Sequence, residues 1–484
     1  MSFRTATEQL RALDKRDTSS VALVEEAIAA IEAADGAINA VVVRDFDRAR
    51  QAARAADGRR ATGGQGALLG LPVAVKEGFD VAGLPTSWGL PGKYPPAAAD
   101  AVLVARLKAA GAIVLGKTNV ATMLADWQTA NSVFGATSNP WNLAHTPGGS
   151  SGGGAAAVAA GMTPLDFGSD LAGSLRIPAA FCGVFAHRPS HGLAPMRGFA
   201  PPMAPRSAIA QAIDQSTVGP IARSAADLML ALDIVAGPDA PDATAYRFDL
   251  PRPRHAALKD FRVLVVDEHP LTPTSRSIRD ALAELAKRLE QAGCKVGREI
   301  GEIPDLADLA QTFSALLMSF MGADMPQDEY QALTSRTRAS LDAENMTMSH
   351  RDWLWLDRHR LDLGVKWGQT FEKWDVVLCP VAPTTAFPHD RRPFESRKLC
   401  VDGAAVPYER LPIWTSLPTP CGLPVTTAPI GLDEEGMPIG VQIIGPRLED
   451  RTPLAFAALL EKAFGGFVAP PKIPATATQE SRRS

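Results

Sequence analysis

The sequence predicts an α/β fold. Three observations carry that expectation. Short apolar runs of strand type recur at Leu71–Lys76, Ala112–Leu115, Arg262–Val266, Asp375–Cys379 and Gly440–Ile444. Helical stretches fall between them, and Gly- and Pro-rich turns separate the two kinds of segment. At 484 residues and 46% apolar side chains, core size is not limiting, whether as one large domain or as two or three.

The elements follow in order. Asp17-Thr18-Ser19 offers caps for a helix over residues 21–34, with Gly36 as its stop, and Val21, Val24, Ile28 and Ile31 share one face. Residues 57–66, rich in Gly and Arg, are expected to form a surface loop. A strand then ends on Lys76, a helix spans Ala101–Ala110, and a strand follows at Ala112–Leu115. Pro140–Gly154 predicts a loop, leading into an alanine-rich helix that ends near Gly161. Four prolines within 238–256 mark a connector. Ser277–Gln291 is amphipathic and stops at Gly293. Residues 305–375 read as helical, with Trp353, Trp355, Trp367 and Trp374 serving as helix packing or as a lid over an apolar substrate. The polar residues 471–484 predict a frayed tail.

Composition excludes some functions. Lys plus Arg is 49 against 53 Asp plus Glu, a net charge of −4 that gives no pull toward nucleic acid or anionic membrane. The first 17 residues lack an apolar signal core, and the Ala155–Ala160 run is too short to span a bilayer. Cys182, Cys294, Cys379, Cys400 and Cys421 are widely spaced with no CxxC, which predicts reduced thiols and a cytoplasmic location. The eight histidines include no HExxH, so no metal site is expected.

Chemistry concentrates in three places. Thr146–Gly154 sets five glycines around Ser150 and Ser151, just before a helix whose N-terminal N–H groups are unpaired. On its own this stretch could be a flexible loop or a phosphate cradle, although it lacks the GxxxxGK[ST] of a P-loop. In Gly168–Pro178 the turn before Ser174 could aim successive N–H groups at one point, the architecture of an oxyanion hole. Lys76 closes an apolar strand; on a surface it would merely snorkel, whereas burial would lower its proton affinity and make it a base.

Together, PVAVKEGFD around Lys76, GGSSGG around Ser150 and GSDLAGSLRIPAAFCGV around Ser174 resemble the amidase signature family. FGATSNPWN, Gly219–Arg223 with Asp227, and Gly440-Val441-Gln442 extend the likeness, and Ser150 and Ser174 stand 24 residues apart as the family's two serines do. The resemblance implies a single domain over 1–470 around a mixed, mostly parallel sheet flanked by helices, with a signature core at about 65–230 and 375–465 and a variable helical region at about 240–370. It further implies Ser174 as nucleophile, Ser150 as relay on a cis peptide after Gly149, and Lys76 as ultimate base. Backbone N–H groups of Leu171, Ala172, Gly173 and Ser174 would bind the oxyanion, with Leu124 lining the acyl pocket and no cofactor or metal required. Met123, Trp127 and Phe134 are further candidates for that wall, or ordinary core residues.

The implied reaction is hydrolysis of a small-molecule amide, extending to esters and carbamates, with a hydrophobic or aromatic substrate; a homodimer is allowed. Asp170 and Arg176 are expected to form a structural ion pair. The sequence departs from the family at Leu171-Ala172, at Ala186-His187-Arg188-Pro189 and at Ala130. Three alternatives stand beside this reading. One is the amidase subunit of a tRNA-dependent amidotransferase. Another is an α/β-hydrolase-like esterase using Ser150 in the formal GxSxG of Gly148–Gly152, although no strand is expected before it. The third is a binding protein on a dead scaffold, against which the retention of all three triad residues argues.

Overall fold

A computed structural model of the chain describes residues 2–202, 204, 213–240, 242–323, 325–334 and 341–471. Residues 472–484 of the expected tail lie outside the described residues. In chain order the strands are β1 (Val41–Arg44), β2 (Pro72–Lys76), β3 (Ile113–Thr118), β4 (Ala130–Asn131), β5 (Gly135–Ala136), β6 (Leu165–Asp170), β7 (Phe185–Arg188), β8 (Thr217–Ala222), β9 (Arg262–Val265), β10 (Lys295–Gly297), β11 (Val376–Pro380), β12 (Lys398–Val401), β13 (Ala404–Pro407), β14 (Val425–Leu432) and β15 (Pro438–Ile444). Two small hairpins, β4–β5 and β12–β13, stand apart; the other eleven strands form one sheet in the order β1-β3-β2-β6-β8-β7-β14-β15-β11-β9-β10.

The sheet is mixed, but not mostly parallel. Parallel pairing joins β2 to β3 and β6, and β9 to β10 and β11; the other six pairings are antiparallel. The physical reason lies in the connections. A helix crosses between β2 and β3, as parallel neighbours require, whereas β14 and β15 are joined by the short turn around Asp433–Gly436.

Helices cover both faces. Val102–Ala109, Ala225–Val235, Arg276–Gln291 and Arg451–Phe464 pack on one side, over Val73, Val75, Leu165 and Phe167. Ser20–Ile38, Phe46–Ala61 and Gly152–Ala159 pack on the other, over Val41, Ile113 and Leu115. Because side chains alternate along a strand, Val73 and Val75 enter the first core while Lys76 turns toward the helix at 152–159. That alternation aims the lysine at the serine loop.

Several boundaries differ from expectation. The first long helix passes Gly36 and ends at Asn39, whose left-handed backbone (φ +60°) closes it; Ser19 caps its start by accepting from the Ala22 N–H. Residues 57–61 belong to the helix Phe46–Ala61 rather than to a loop, because Ala49, Ala53 and Ala56 keep burying its inner face up to its last turn. The expected loop through Gly154 instead ends at Ser151, and the helix begins on three glycines. Strand β3 runs on to Thr118, guided by its pairing with β2.

In the 305–375 region the helices are Leu306–Ala323, Gln327–Thr334, Leu341–Met346 and His350–Lys373. Leu306–Ala323 is long and apolar enough to cross a membrane by length and composition, yet its Leu306, Leu309 and Ala310 join Leu363 and Trp367 in a core cluster. Trp367 and Trp374 are core packing, whereas Trp355 is exposed beneath the Arg358 guanidinium and Trp353 stacks on His350. All five cysteines are free.

Candidate active site

The carboxyl ends of the parallel strands β2 and β6 lie side by side, and the N-terminus of the helix Gly152–Ala159 arrives above them. Lys76 is fully buried there. Its Nζ lies 2.7 Å from Ser150 Oγ, 2.8 Å from Ser151 Oγ and 3.0 Å from Ser169 Oγ. Burial lowers its pKa from 10.5 to about 7, against the opposing pull of Asp170 and Asp166. A neutral amine can donate to two of these hydroxyls and accept from the third, so the arrangement suits a base that takes a serine proton.

Glycine at 149 is dictated by space. The Gly149–Ser150 peptide is cis, and a Cβ at Gly149 would come within 2.5 Å of the Asp126 carbonyl oxygen. The loop is pinned by Thr129, whose hydroxyl donates to the Gly148 carbonyl at 2.8 Å and accepts from the Gly152 N–H at 3.0 Å. The Ser151 N–H in turn donates to the Ser174 carbonyl at 3.2 Å, which ties the two serine segments together.

Ser174 is the least buried of the three, 7% exposed against 0% for Lys76 and Ser150, so a substrate reaches it first. Its hydroxyl makes no hydrogen bond among the described residues. The first link of the expected relay, Lys76 to Ser150, is formed, and the second, Ser150 to Ser174, is not made in this structure.

The turn before Ser174 is built on Asp170. Its carboxylate accepts from the Gly173 N–H at 2.9 Å, the Leu175 N–H at 3.1 Å and the Arg176 side chain at 2.8 Å. The Gly173 N–H is therefore spent on Asp170, which corrects the expectation that it binds the oxyanion. The N–H groups of Leu171, Ala172 and Ser174 have no hydrogen-bond partner among the described residues and remain as donors. Gly173 matters through its backbone: φ is +94°, and a Cβ would meet Ile177 and Thr415 side-chain atoms at 2.8 Å.

The Asp170–Arg176 pair is structural, as expected, and fully buried. Burial alone would raise the Asp170 pKa, but the Arg176 and Arg188 guanidiniums override it and hold the carboxyl well below the usual range. Arg176 also donates to the Thr415 carbonyl, Thr419 Oγ1 and Gln442 Oε1 at 2.8–2.9 Å. The unusual Ala186–Pro189 segment contributes Arg188, 3.7 Å from Asp170 and bonded to the carbonyls of Leu423 and Gln215.

Of the candidate wall residues, Trp127 reaches the site. Its indole N–H donates to the Ala172 carbonyl at 2.9 Å, and its ring packs on Phe394 and Tyr408. Tyr408 and Arg397 both bond the Asp126 carboxylate next door. Leu124 is half-buried against the main core at φ +59°, and no hydrogen bond or ring contact among the described residues ties it, Met123 or Phe134 to the serines. The esterase alternative loses its geometry, because no strand among the described residues lies between Ala136 and Leu165, and Ser150 is held by a lysine. Ser169 and Thr129 escaped the sequence reading, which noted Ser151 only as the neighbour of Ser150 and gave it no role.

Comparison with known proteins identifies the family. The amidase family model matches residues 22–454. AmiB2 of Mycobacterium tuberculosis (strain ATCC 25618 / H37Rv), a protein assigned as an amidase, is 35% identical over 473 residues, 96% of each chain. The A subunit of the glutamyl-tRNA(Gln) amidotransferase of Roseiflexus sp. (strain RS-1) is 31% identical over 500 residues, covering 97% of this chain and 98% of that one. A solved chain from a vestigial complex bearing on the origins of an s-triazine catabolic enzyme superposes with a TM-score of 0.80 at 31% identity, covering 97% of this chain and all of its own.

Proposed function

The chain belongs to the amidase signature family and is an enzyme acting on amides; from that premise we propose that it hydrolyses linear carboxylic amides through an acyl-enzyme on Ser174. The observation that carries this is the buried Lys76 amine 2.7 Å from Ser150 Oγ. A serine hydroxyl is a weak nucleophile until a base takes its proton. Neutral Lys76 accepts the proton of Ser150 as Ser150 accepts that of Ser174, and Ser174 Oγ bonds to the substrate carbonyl carbon.

The oxyanion that results faces the N–H groups of Leu171, Ala172 and Ser174. Each such donor is worth roughly 3–4 kcal/mol when it meets charge that develops only in the transition state. Collapse breaks the C–N bond, and the proton held by Lys76 returns through Ser150 to the departing amine. Water then repeats the sequence on the acyl-enzyme and regenerates Ser174.

Esters and carbamates present the same carbonyl and are included in the proposal. The rings of Trp127, Phe394 and Tyr408 beside the oxyanion turn support a hydrophobic or aromatic substrate. The test is covalent labelling with phenylmethylsulfonyl fluoride, mapped by peptide mass spectrometry, with turnover of a matched anilide, ester and carbamate. A single adduct on Ser174 that Lys76→Ala abolishes is expected, with all three substrates turned over. An adduct on Ser150, or strict primary-amide activity, would overturn it.

Similarity to the amidotransferase chain from Roseiflexus favours a second reading, in which the protein works only with partner subunits. Activity of the purified chain alone on a simple amide decides between the two.

A further inference from the structure

Beneath the serine loop lies a carboxylate that the proposed mechanism does not use. Asp166, on β6, is fully buried. Its Oδ2 accepts the Thr118 hydroxyl at 3.1 Å, while Oδ1 has no hydrogen-bond partner among the described residues. The helix backbone is seated directly on it, since a Cβ at Gly154 would lie 2.1 Å from Oδ1. In the β2–β6 register Asp166 stands opposite Ala74, and alternation places Lys76, two residues on, over the same face. With strands about 4.8 Å apart and a rise of about 3.3 Å per residue, the two positions stand roughly 8 Å apart.

We infer that Asp166 is a positioning residue for Lys76: its carboxylate, acting through space beneath the serine cluster, governs the charge that the lysine amine carries. Few other charges share this pocket. Helix Gly152–Ala159 and strand β8 bring no ionisable side chain. Strand β6 adds Asp170, which Arg176 and Arg188 already neutralise. From β3, Lys117 is engaged by Glu77 and the Pro85 carbonyl. Asp166 therefore acts on the lysine alongside Asp170, but has no ion pair of its own among the described residues, and burial raises its own pKa from 3.8 to about 7, close to that of the amine. The two groups titrate as a pair across neutrality. The proton taken from Ser150 goes to an amine facing an anion, which favours its acceptance; the same anion keeps the resting amine protonated at mildly acidic pH.

This inference rests on the lysine-base reading above. Its test is the pH dependence of kcat/KM for the full chain and for Asp166→Asn, Thr118→Val and Lys76→Ala, with an amide the wild-type chain turns over. Removing a charge roughly 8 Å away, in a medium of effective dielectric ~20, shifts the acid limb by roughly one to two pH units toward lower pH. Asp166→Asn is expected to show that shift, and Thr118→Val a smaller one in the same direction where Asp166→Asn does not fold. A purely packing role would scale activity at every pH and leave the limb in place. An unmoved limb in a folded, active variant, with Lys76→Ala inactive, overturns this inference alone. Full activity in Lys76→Ala overturns the lysine-base reading itself.

Discussion

Replacing Lys76 by Met should abolish turnover and change the protein's stability by an amount, and with a sign, that depend on pH. The folded state holds the lysine at a pKa of about 7, against 10.5 in the open chain. Between those two values the unfolded chain binds a proton that the native state refuses, so stability falls as pH drops through that window. Below about pH 7 the penalty is complete, at ~5 kcal/mol; at pH 9 it has shrunk to ~2 kcal/mol. Methionine fills nearly the same volume without the charge. It also removes the partner of three serine hydroxyls, costing about 1 kcal/mol each, but that loss is the same at every pH. The quantity to measure is therefore the difference between variant and parent in urea-unfolding free energy, at pH 6 and again at pH 9. The variant should be about 2 kcal/mol more stable than the parent at pH 6 and about 1 kcal/mol less stable at pH 9, a swing of ~3 kcal/mol. A difference that does not change with pH would show that the native lysine keeps its ordinary proton affinity, and the argument for a neutral base would fail with it.

Other perturbations test the rest of the site. Gly173→Ala forces a side chain into left-handed backbone against Ile177 and Thr415; it should cost ~1–3 kcal/mol in thermal unfolding and lower kcat by about a hundredfold. An unchanged kcat would remove the turn from catalysis. Trp127→Phe keeps the ring contacts but strips the hydrogen bond to the Ala172 carbonyl, and kcat should fall about tenfold with little change in melting temperature. Asp170→Asn leaves two buried guanidiniums undercompensated and should cost ~3–5 kcal/mol in urea unfolding. Glu26→Gln, at the exposed Arg4 pair, should cost less than about 1 kcal/mol, and equal losses at the two sites would contradict the role given to burial.

The parts of the fold legible in sequence were those whose pattern is local. Alternation and apolar runs placed β2, β9, β11 and β15, and caps placed Ser19 and the helix ending at Gln291. The mixture of strand directions was not legible, because it depends on which distant strands become neighbours, and β7 comes to lie between β8 and β14. Gly36 misled because glycine is only a weak helix breaker when the residues around it are buried. At the site, the spacing of Lys76, Ser150 and Ser174 was readable as a family pattern. The loss of the Gly173 N–H to Asp170 was not, since it follows from how a carboxylate folds back on its own turn. Asp166 looked like any strand residue until the register with β2 put it under the lysine.

The Arg176 contacts also impose an order on the life of the chain. Lys76, Ser150 and Ser174 all lie in its first 174 residues. The guanidinium that braces the nucleophile turn, however, is satisfied by Thr415, Thr419 and Gln442. A nascent polypeptide emerging from its N-terminus thus carries every reactive group long before it can hold them in place. In such a chain Arg176 can pair with Asp170 inside the turn, but its donors to Thr415, Thr419 and Gln442 have no partner yet. On the proposed mechanism, the full bracing of that turn arrives late in synthesis, when strand β15 joins the sheet.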